Sequence, residues 1–286
     1  MVLGIPGPLM NNPEKIVEYF NDSGRRIPDG AMRVFGKVPS NYYRLTQSVV
    51  DYELILNRSK QHNTHPVSLT TAEFKSQAEI LLEKIRVSPE YANLLKGVHI
   101  PFVFPCHAGE ADLGTNLKNT LLPNLQKSFT ARYPDAHFKA ILQSNAELLG
   151  NITLDPASRY EQFMAASKQG PIVGWYFPQA LQEFDVKSQR QQMTLLPVLQ
   201  GANVCLGGGM DICAALIGSP DLLISDEFYA PILCMSAYVY TDPRLVLLLK
   251  SYGPHLEFWC MTQMLTKDTI QVSEQWAGGL TIYQSL

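Results

Sequence analysis

From Val98 onward the chain alternates short β-rich runs with helical segments, and this alternation constrains the fold more than any other feature. The strand candidates are Val98–Phe104, His137–Leu142, Pro171–Phe177 and Asn203–Leu206. Between them lie two helical segments, Asn116–Arg132, which contains Pro123, and Pro156–Lys168. Strands that alternate with helices at this spacing indicate βαβ units. We therefore predict an α/β fold whose body is a mixed, mainly parallel sheet flanked by helices.

The C-terminal third of the chain predicts a different strand pairing. Two segments are typical of helices, Met210–Ile217 and Pro243–Ser251, and three are typical of strands, His255–Thr262, Thr269–Trp276 and Leu280–Tyr283. The last two strands are joined through Ala277-Gly278-Gly279. A short glycine-containing link of this kind predicts an antiparallel hairpin at the C-terminus.

Before Val98 the sequence favours helices. Predicted helices cover Pro13–Asn21, Asn41–Lys60 and Pro89–Lys96, the last ended by Gly97. The clearest helix start is Thr70 with Glu73, a capping box flanked by Leu69 and Phe74 at the positions of a hydrophobic staple. We therefore divide the chain into a helical N-terminal region, residues 1–97, and an α/β body, residues 98–286.

Composition excludes several classes of protein. The chain has 286 residues, of which 46% are hydrophobic and 17% charged, with a net charge of −3. That length supplies a core large enough to fold without disulfides, so a disulfide scaffold, a disordered chain and a fibrous protein are excluded. The basic clusters, Arg25-Arg26 and Arg58-Ser59-Lys60, are too small to neutralise several phosphates. Nucleic acid is therefore not expected as a partner.

The cysteines and the apolar runs predict a cytoplasmic protein. Five cysteines follow no paired or metal-binding spacing, which indicates reduced thiols. Met1–Asn12 lacks the basic start of a secretory signal, although export by a route that reads no such signal stays open. Tyr229–Tyr240, the longest apolar stretch, is shorter than the roughly 20 residues of a membrane helix, so no membrane span is expected.

The first candidate site is the loop Cys106–Gly114, which directly follows a strong strand. In open α/β sheets ligands bind beyond the carboxyl ends of the strands, and this loop supplies His107, Glu110 and Asp112 there. Imidazole and carboxylate groups suit either a divalent metal ion or acid–base catalysis. We predict His107 and Glu110 as catalytic residues, and all three as metal ligands. The structural alternative is that His107 and Glu110 only cap the neighbouring helix and loop.

Within this loop, His107-Ala108-Gly109-Glu110 resembles a signature of the adenosine deaminases. In that family the segment contributes a metal-binding histidine and a catalytic glutamate to a barrel, so the resemblance implies those roles for His107 and Glu110. The family's N-terminal histidine pair is missing, since the spacing in His62-Asn63-Thr64-His65 differs, and its arginine-isoleucine-glycine-histidine-glycine segment is missing too. The aspartate pair that occurs later in that family has only a partial counterpart here, in Thr241-Asp242-Pro243.

The second candidate site is the turn Gly207-Gly208-Gly209, which joins a strand to a helix. Three glycines allow backbone amides to approach an anion at the start of a helix, so we predict Gly207, Gly208 and Gly209 as ligand-binding residues. Cys213 would lie near the first turn of that helix, where the helix dipole lowers a thiol pKa and favours a nucleophile. The alternative for Cys213 is buried packing. Cys106 and His107 are adjacent in an extended segment, so they point apart and form no direct dyad.

A third feature is the carboxylate pair Asp226-Glu227 at the end of a short apolar segment. Such a pair holds a divalent ion, shares acid and base roles, or caps a turn in solvent.

Together the sites predict a hydrolase that acts on a small molecule or a protein side chain, in which a divalent metal of unidentified type is the cofactor to test for. The alternatives are a non-catalytic protein-interaction factor and, third, an enzyme with a cysteine nucleophile. The sequence leaves the oligomeric state open.

Overall fold

Helices and three sheets build the part of the chain that the computed structural model describes, which is residues 17–28, 42–107, 112–143, 146–263 and 272–286. The α-helices are α1 (Tyr52–His62), α2 (Thr71–Val87), α3 (Leu113–Asn116), α4 (Leu122–Arg132), α5 (Tyr160–Ser167), α6 (Val186–Thr194) and α7 (Gly209–Gly218). The strands are β1 (Ile100–Phe104), β2 (Phe138–Leu142), β3 (Ile152–Leu154), β4 (Ile172–Phe177), β5 (Gln182–Phe184), β6 (Asn203–Leu206), β7 (Ile232–Cys234), β8 (Tyr238–Tyr240), β9 (Leu245–Tyr252), β10 (His255–Thr262), β11 (Val272–Ala277) and β12 (Leu280–Ser285). The α/β class predicted from the sequence is confirmed.

The pairing of the strands matches the prediction only in part. One sheet has the order β1-β4-β12-β6, a second has the order β2-β10-β9-β7-β11-β5, and β3 pairs with β8. Among these described strands only two pairs are parallel, β2 with β10 and β7 with β11. Consecutive strands β1 and β2 belong to different sheets, so the helices between them connect two sheets and do not return the chain to a parallel neighbour in one sheet. A mainly parallel sheet is therefore not what forms.

The predicted C-terminal hairpin does not form either. β11 lies in the six-stranded sheet and β12 in the four-stranded sheet, so the link through Gly278 and Gly279 carries the chain from one sheet to the other. Pro243–Ser251, predicted as a helix, contains most of β9. Its run of leucine and valine suits a buried strand as well as a helix, and antiparallel pairing of β9 with β10 along its whole length decides between them.

In the N-terminal region the predicted helix start at Thr70 is confirmed. The Thr70 hydroxyl accepts from the Glu73 amide, and the Glu73 carboxylate accepts from the Thr70 amide at 2.8 Å. The predicted helix Asn41–Lys60 is wrong in its first half, because α1 begins only after Asp51, whose side chain caps it. Val49, which lies in that first half, is 96% exposed.

Other predicted helices are shorter or interrupted. In the segment 13–21 the described residues, 17–21, are not helical, and the others lie outside the described residues. A 3₁₀ helix, Ala92–Lys96, replaces the helix predicted from Pro89. A short π-helical segment, Leu117–Leu121, separates α3 from α4 next to Pro123. Between a 3₁₀ turn at Pro156–Ser158 and α5, Arg159 takes a left-handed conformation with φ 59°.

A continuous hydrophobic core connects α1 and α2 with the four-stranded sheet. It contains Phe74 and Ala78 from α2 together with Trp175 from β4. The Trp175 indole donates to the Ala78 carbonyl oxygen over 2.8 Å, which satisfies a polar group that burial would otherwise leave unpaired. The domain boundary near Gly97 stays a prediction. Among the described residues, no helix has the length and apolar character needed to cross a membrane.

Candidate functional site

His107 lies three residues beyond β1 and is buried, with 5% of its surface exposed. Its Nε2 is 3.3 Å from the Asn116 side-chain nitrogen, and its backbone amide donates to the Ser167 carbonyl oxygen. The His65 ring contacts it edge to face, with the ring centroids 4.9 Å apart. The arrangement holds one orientation of the imidazole and brings a second imidazole beside it. Sequence reasoning considered His65 only for its spacing from His62.

Of the two carboxylates predicted beside His107, the structure describes only that of Asp112. Glu110 lies outside the described residues. Asp112 caps α3: one oxygen accepts from the Thr115 amide at 2.6 Å and from the Thr115 hydroxyl at 2.7 Å, and the other accepts from the Gly150 amide at 2.9 Å. These hydrogen bonds, above all the one from the Thr115 hydroxyl, lower the pKa of Asp112. No group of three or more His, Cys, Asp or Glu side chains in the described ranges is arranged to hold a metal ion.

The two predicted loops emerge at different places on the four-stranded sheet. β1, which precedes His107, and β6, which precedes Gly207, are its two outer strands. Phe104 is level with Ile172 and Ser285, whereas Leu206 is level with Leu280 and Phe177. Each neighbouring pair in this sheet is antiparallel, so β1 and β6 run in opposite directions and their carboxyl ends point to opposite ends of the sheet. The sheet therefore does not bring His107 together with Gly207–Gly209.

The glycine turn 207–209 is buried and holds a carboxylate of the protein itself. The Gly208 amide donates to Asp211 Oδ1 over 2.8 Å, and the Tyr160 hydroxyl donates to the same oxygen over 2.7 Å. The Thr281 hydroxyl donates to the other oxygen, Oδ2. A side chain at position 208 would place its Cβ 2.5 Å from the Tyr160 ring, so this position requires glycine for close approach. One amide of the turn, that of Gly208, is thus taken up by Asp211, and binding of a ligand by Gly207–Gly209 stays a prediction.

Burial decides the properties of the candidate thiols. Cys213 lies inside α7 and is fully buried, and this burial raises the pKa of its thiol, because the thiolate would lose its hydration. Cys106 is exposed, whereas the other four cysteines are buried, and all five are free. Cys106 and His107 therefore face different environments, as expected for neighbours in an extended segment.

A pocket of about 500 Å³ lies beside the third feature, the pair Asp226-Glu227, and we call it the tyrosine pocket. Its walls come from the segment before α1, the loop before β7, the turn between β9 and β10, and β11. Besides the aliphatic Ala230 and Ile232, the larger lining side chains are aromatic or polar: Tyr43, Asp226, Glu227, Phe228, Tyr229, Lys250, Tyr252 and Gln275. Neither His107 nor Asp112 lines it.

Two tyrosines of the pocket are strongly exposed, Tyr229 at 70% and Tyr252 at 71%. Tyr43 contacts Tyr229 at a centroid distance of 6.1 Å, and the Arg44 amide donates to the Tyr229 carbonyl oxygen, so the chain before α1 holds this wall in place. The carboxylates are presented by a tight turn in which the Ser225 hydroxyl accepts from two backbone amides, those of residues 227 and 228.

The charges around the pocket leave its carboxylates available. In the described part of the chain, Asp226 and Glu227 form no ion pair and are exposed. Lys250, the cation of the pocket wall, is 3.7 Å from Glu257 and lies over the Trp259 ring at 4.2 Å, so its charge is already matched. The pocket therefore offers two carboxylates without an ion pair next to exposed aromatic rings.

Sequence reasoning found Asp226-Glu227 but not the pocket. The aromatic residues that complete the pocket come from segments about 180 residues apart, such as those of Tyr43 and Tyr229. Neither segment contains a local sequence pattern that predicts this contact. We compared the chain with known protein families, with curated proteins and with solved structures, and none of the three comparisons gave a match.

Proposed function

We propose that this protein is a non-catalytic interaction factor that binds a basic segment of a partner protein in the tyrosine pocket. The observation that carries the proposal is the combination of exposed tyrosines with two unpaired carboxylates around one concave surface of about 500 Å³. Tyrosine is among the residue types enriched at protein interfaces and at the positions that carry most of their binding energy.

The chemistry of the pocket favours Lys or Arg as the recognised side chain. A cation gains from two sources here, attraction to the ring faces of Tyr229 and Tyr252 and charge-assisted hydrogen bonds to Asp226 or Glu227. The same region already holds a guanidinium on an aromatic face, since Arg44 lies 5.0 Å over the Phe228 ring. Residues 151–286 carry seven Lys and Arg against twelve Asp and Glu, so the field of this half also attracts a basic partner.

The proposal is tested with a fluorescein-labelled heptapeptide, Gly-Arg-Gly-Lys-Gly-Arg-Gly, and a counterpart in which Glu replaces the three basic residues. Fluorescence anisotropy should show binding of the basic peptide alone, weakened by added salt. Asp226→Asn and Glu227→Gln should each weaken binding about fivefold, and Tyr229→Ala about tenfold. Glu53→Gln, which removes one exposed carboxylate from α1, is the control and should leave affinity unchanged.

Three results would overturn this proposal: no binding of the basic peptide, equal binding of both peptides, or the same loss of affinity in Glu53→Gln as in the pocket variants. Each variant changes an exposed side chain, so its melting temperature should stay that of the wild type, which separates a lost contact from a lost fold.

A hydrolase centred on His107, with Glu110 and a divalent metal, is the second candidate function. The His65 ring beside His107 is the observation that favours it. The test is turnover of p-nitrophenyl acetate and p-nitrophenyl phosphate, with and without added Zn²⁺. Loss of turnover in His107→Gln and in Glu110→Gln at unchanged melting temperature would support it, and a wild-type protein without turnover would end it. A cytoplasmic location, expected from the free thiols, belongs to either candidate.

A further inference from the structure

The second surface that offers binding chemistry is the outer edge of the six-stranded sheet. β2 is the last strand there, and β10 is its one strand neighbour among the described residues. The Leu256 amide donates to the His137 carbonyl oxygen. Since backbone groups alternate in direction along a strand, residues 139 and 141 also face β10, whereas Phe138, Ala140 and Leu142 turn their amides and carbonyls outward. A row of strand hydrogen-bonding groups is thus left open.

An apolar groove of about 340 Å³ runs beside this open edge. One wall is the β2 face formed by Phe138, Ala140 and Leu142, and the opposite wall is the start of α4, with Leu122 and Pro123. An edge strand on one side and a helix on the other leave room for one more extended chain, whose alternate side chains would enter the groove. The short π-helical segment that precedes α4 contributes Lys118 to the groove, and such π-bulges are frequent at functional sites.

The charges beside the groove indicate what kind of chain fits. Lys118, on the helix wall, is exposed, and within the described ranges it forms no ion pair. Lys139 of β2 is also exposed, but it lies on the face of the strand opposite to the groove, in register with Glu257 of β10. A second copy of this protein paired through β2 would bring the same lysines close together, which is unfavourable. An extended segment with a carboxylate on its groove side would instead pair with Lys118.

We propose that the groove between β2 and α4 binds an extended peptide segment of a partner protein, which adds to β2 as a further strand. Its alternate apolar side chains occupy the groove, and an acidic side chain pairs with Lys118. This partner is opposite in charge to the one that the tyrosine pocket binds. The two surfaces share no lining residue, so each proposal can fail without the other.

The test uses a fluorescein-labelled peptide, Glu-Thr-Val-Thr-Val-Thr-Asp, against the full chain, because in an extended conformation its acidic residues lie on the same face as its valines. Two control peptides accompany it: one with the same residues in an order that destroys the alternation, and one with Lys in place of both acidic residues. The alternating acidic peptide should bind at least about tenfold more tightly than either control, because only it both pairs with the strand edge and places a carboxylate beside Lys118.

Variants of the chain locate the binding. Ala140→Pro removes an outward amide while leaving the hydrogen bonds to β10 intact, and an edge strand tolerates proline at such a position. It should weaken binding about tenfold, and Lys118→Glu about fivefold. Lys127→Glu reverses a charge on α4 outside the groove and should change nothing. Lys118 is exposed, so that variant tests the proposal even where Ala140→Pro fails to fold.

Equal binding of the scrambled peptide, or unchanged affinity in both Ala140→Pro and Lys118→Glu, would overturn the inference. Sedimentation gives an independent check: a concentration-dependent dimer that Ala140→Pro abolishes would show that a second copy covers the edge, which also overturns it. Asp226→Asn should bind the acidic peptide like the wild type, which keeps this result separate from that of the tyrosine pocket.

Discussion

Asp211 accepts hydrogen bonds from backbone and side-chain donors while its carboxyl is shielded from water. Burial raises the pKa of this carboxyl from 3.8 to about 6, although the hydrogen bonds from Thr281, Tyr160 and Gly208 act in the opposite direction. In the folded protein the neutral form is therefore favoured relative to the unfolded chain. The stabilising contribution is complete below about pH 4 and is lost as the pH rises through about 6.

Asp211→Asn should remove this pH dependence. The amide that replaces the carboxyl keeps its shape and can hydrogen-bond with the Thr281 hydroxyl, but it does not ionise. Relative to wild type, the free energy of unfolding of the variant should increase by about 2 kcal/mol between pH 4 and pH 8. Urea unfolding at a series of pH values measures it, with exposed Asp135→Asn as control. A wild-type-minus-variant difference that stays constant across this range would contradict the raised pKa.

Thiol labelling tests the assignment of the cysteines. Cys106 is exposed, whereas Cys205, Cys213, Cys234 and Cys260 are buried, so an aromatic disulfide reagent should modify one thiol per folded chain and five after denaturation. Cys106→Ser should abolish the reaction of the folded protein. Fast labelling of Cys213 in the native state would instead support a nucleophilic thiol, because burial and a raised pKa both predict its inertness.

At the scale of the elements, the sequence predicted the helix start at Thr70 correctly but predicted the pairing of distant strands wrongly. The Thr70–Glu73 capping box was predictable because both partners lie in one helical turn. The strand direction in the sheets was not, because β1 pairs with β4 across about 70 residues and the intervening segments serve another sheet. The position of the Asp211 carboxylate at the glycine turn could not be predicted for the same reason. It depends on hydrogen bonds from Tyr160 and Thr281, which lie 51 and 70 residues from Asp211.

The link between β11 and β12 gives a prediction at this scale. Gly279 has φ +64°, and a Cβ there would lie 2.5 Å from the Tyr176 ring. Gly253, in the turn between β9 and β10, has φ +57° but open space around it. Gly253→Ala should therefore cost only the backbone strain, about 1 kcal/mol, whereas Gly279→Ala should cost about 3 kcal/mol or more, since the buried ring must also move. Equal losses in urea unfolding would show that the ring contact contributes nothing.

At the scale of the whole molecule, the helical N-terminal region and the α/β body share polar as well as apolar contacts. The Arg58 guanidinium donates to the Gly218 carbonyl oxygen at the end of α7, and the Lys84 ammonium donates to the Gly201 carbonyl oxygen over 2.7 Å. The core residues Phe74 and Leu81 belong to the same buried cluster as Ile282 of β12. Removing residues 1–97 would expose that apolar surface to water, at a cost of about 25 cal/mol for each Å².

We therefore expect the chain to unfold in one cooperative transition. In differential scanning calorimetry the calorimetric and van't Hoff enthalpies should agree, and residues 98–286 expressed alone should be insoluble or should bind hydrophobic dyes. Trp175→Phe, which loses the hydrogen bond to the Ala78 carbonyl oxygen, should lower the single melting temperature and should not split the transition. Two separate transitions, with a folded 98–286 fragment, would instead establish the boundary near Gly97 and assign the contacts between α2 and the sheet to an interface between two domains.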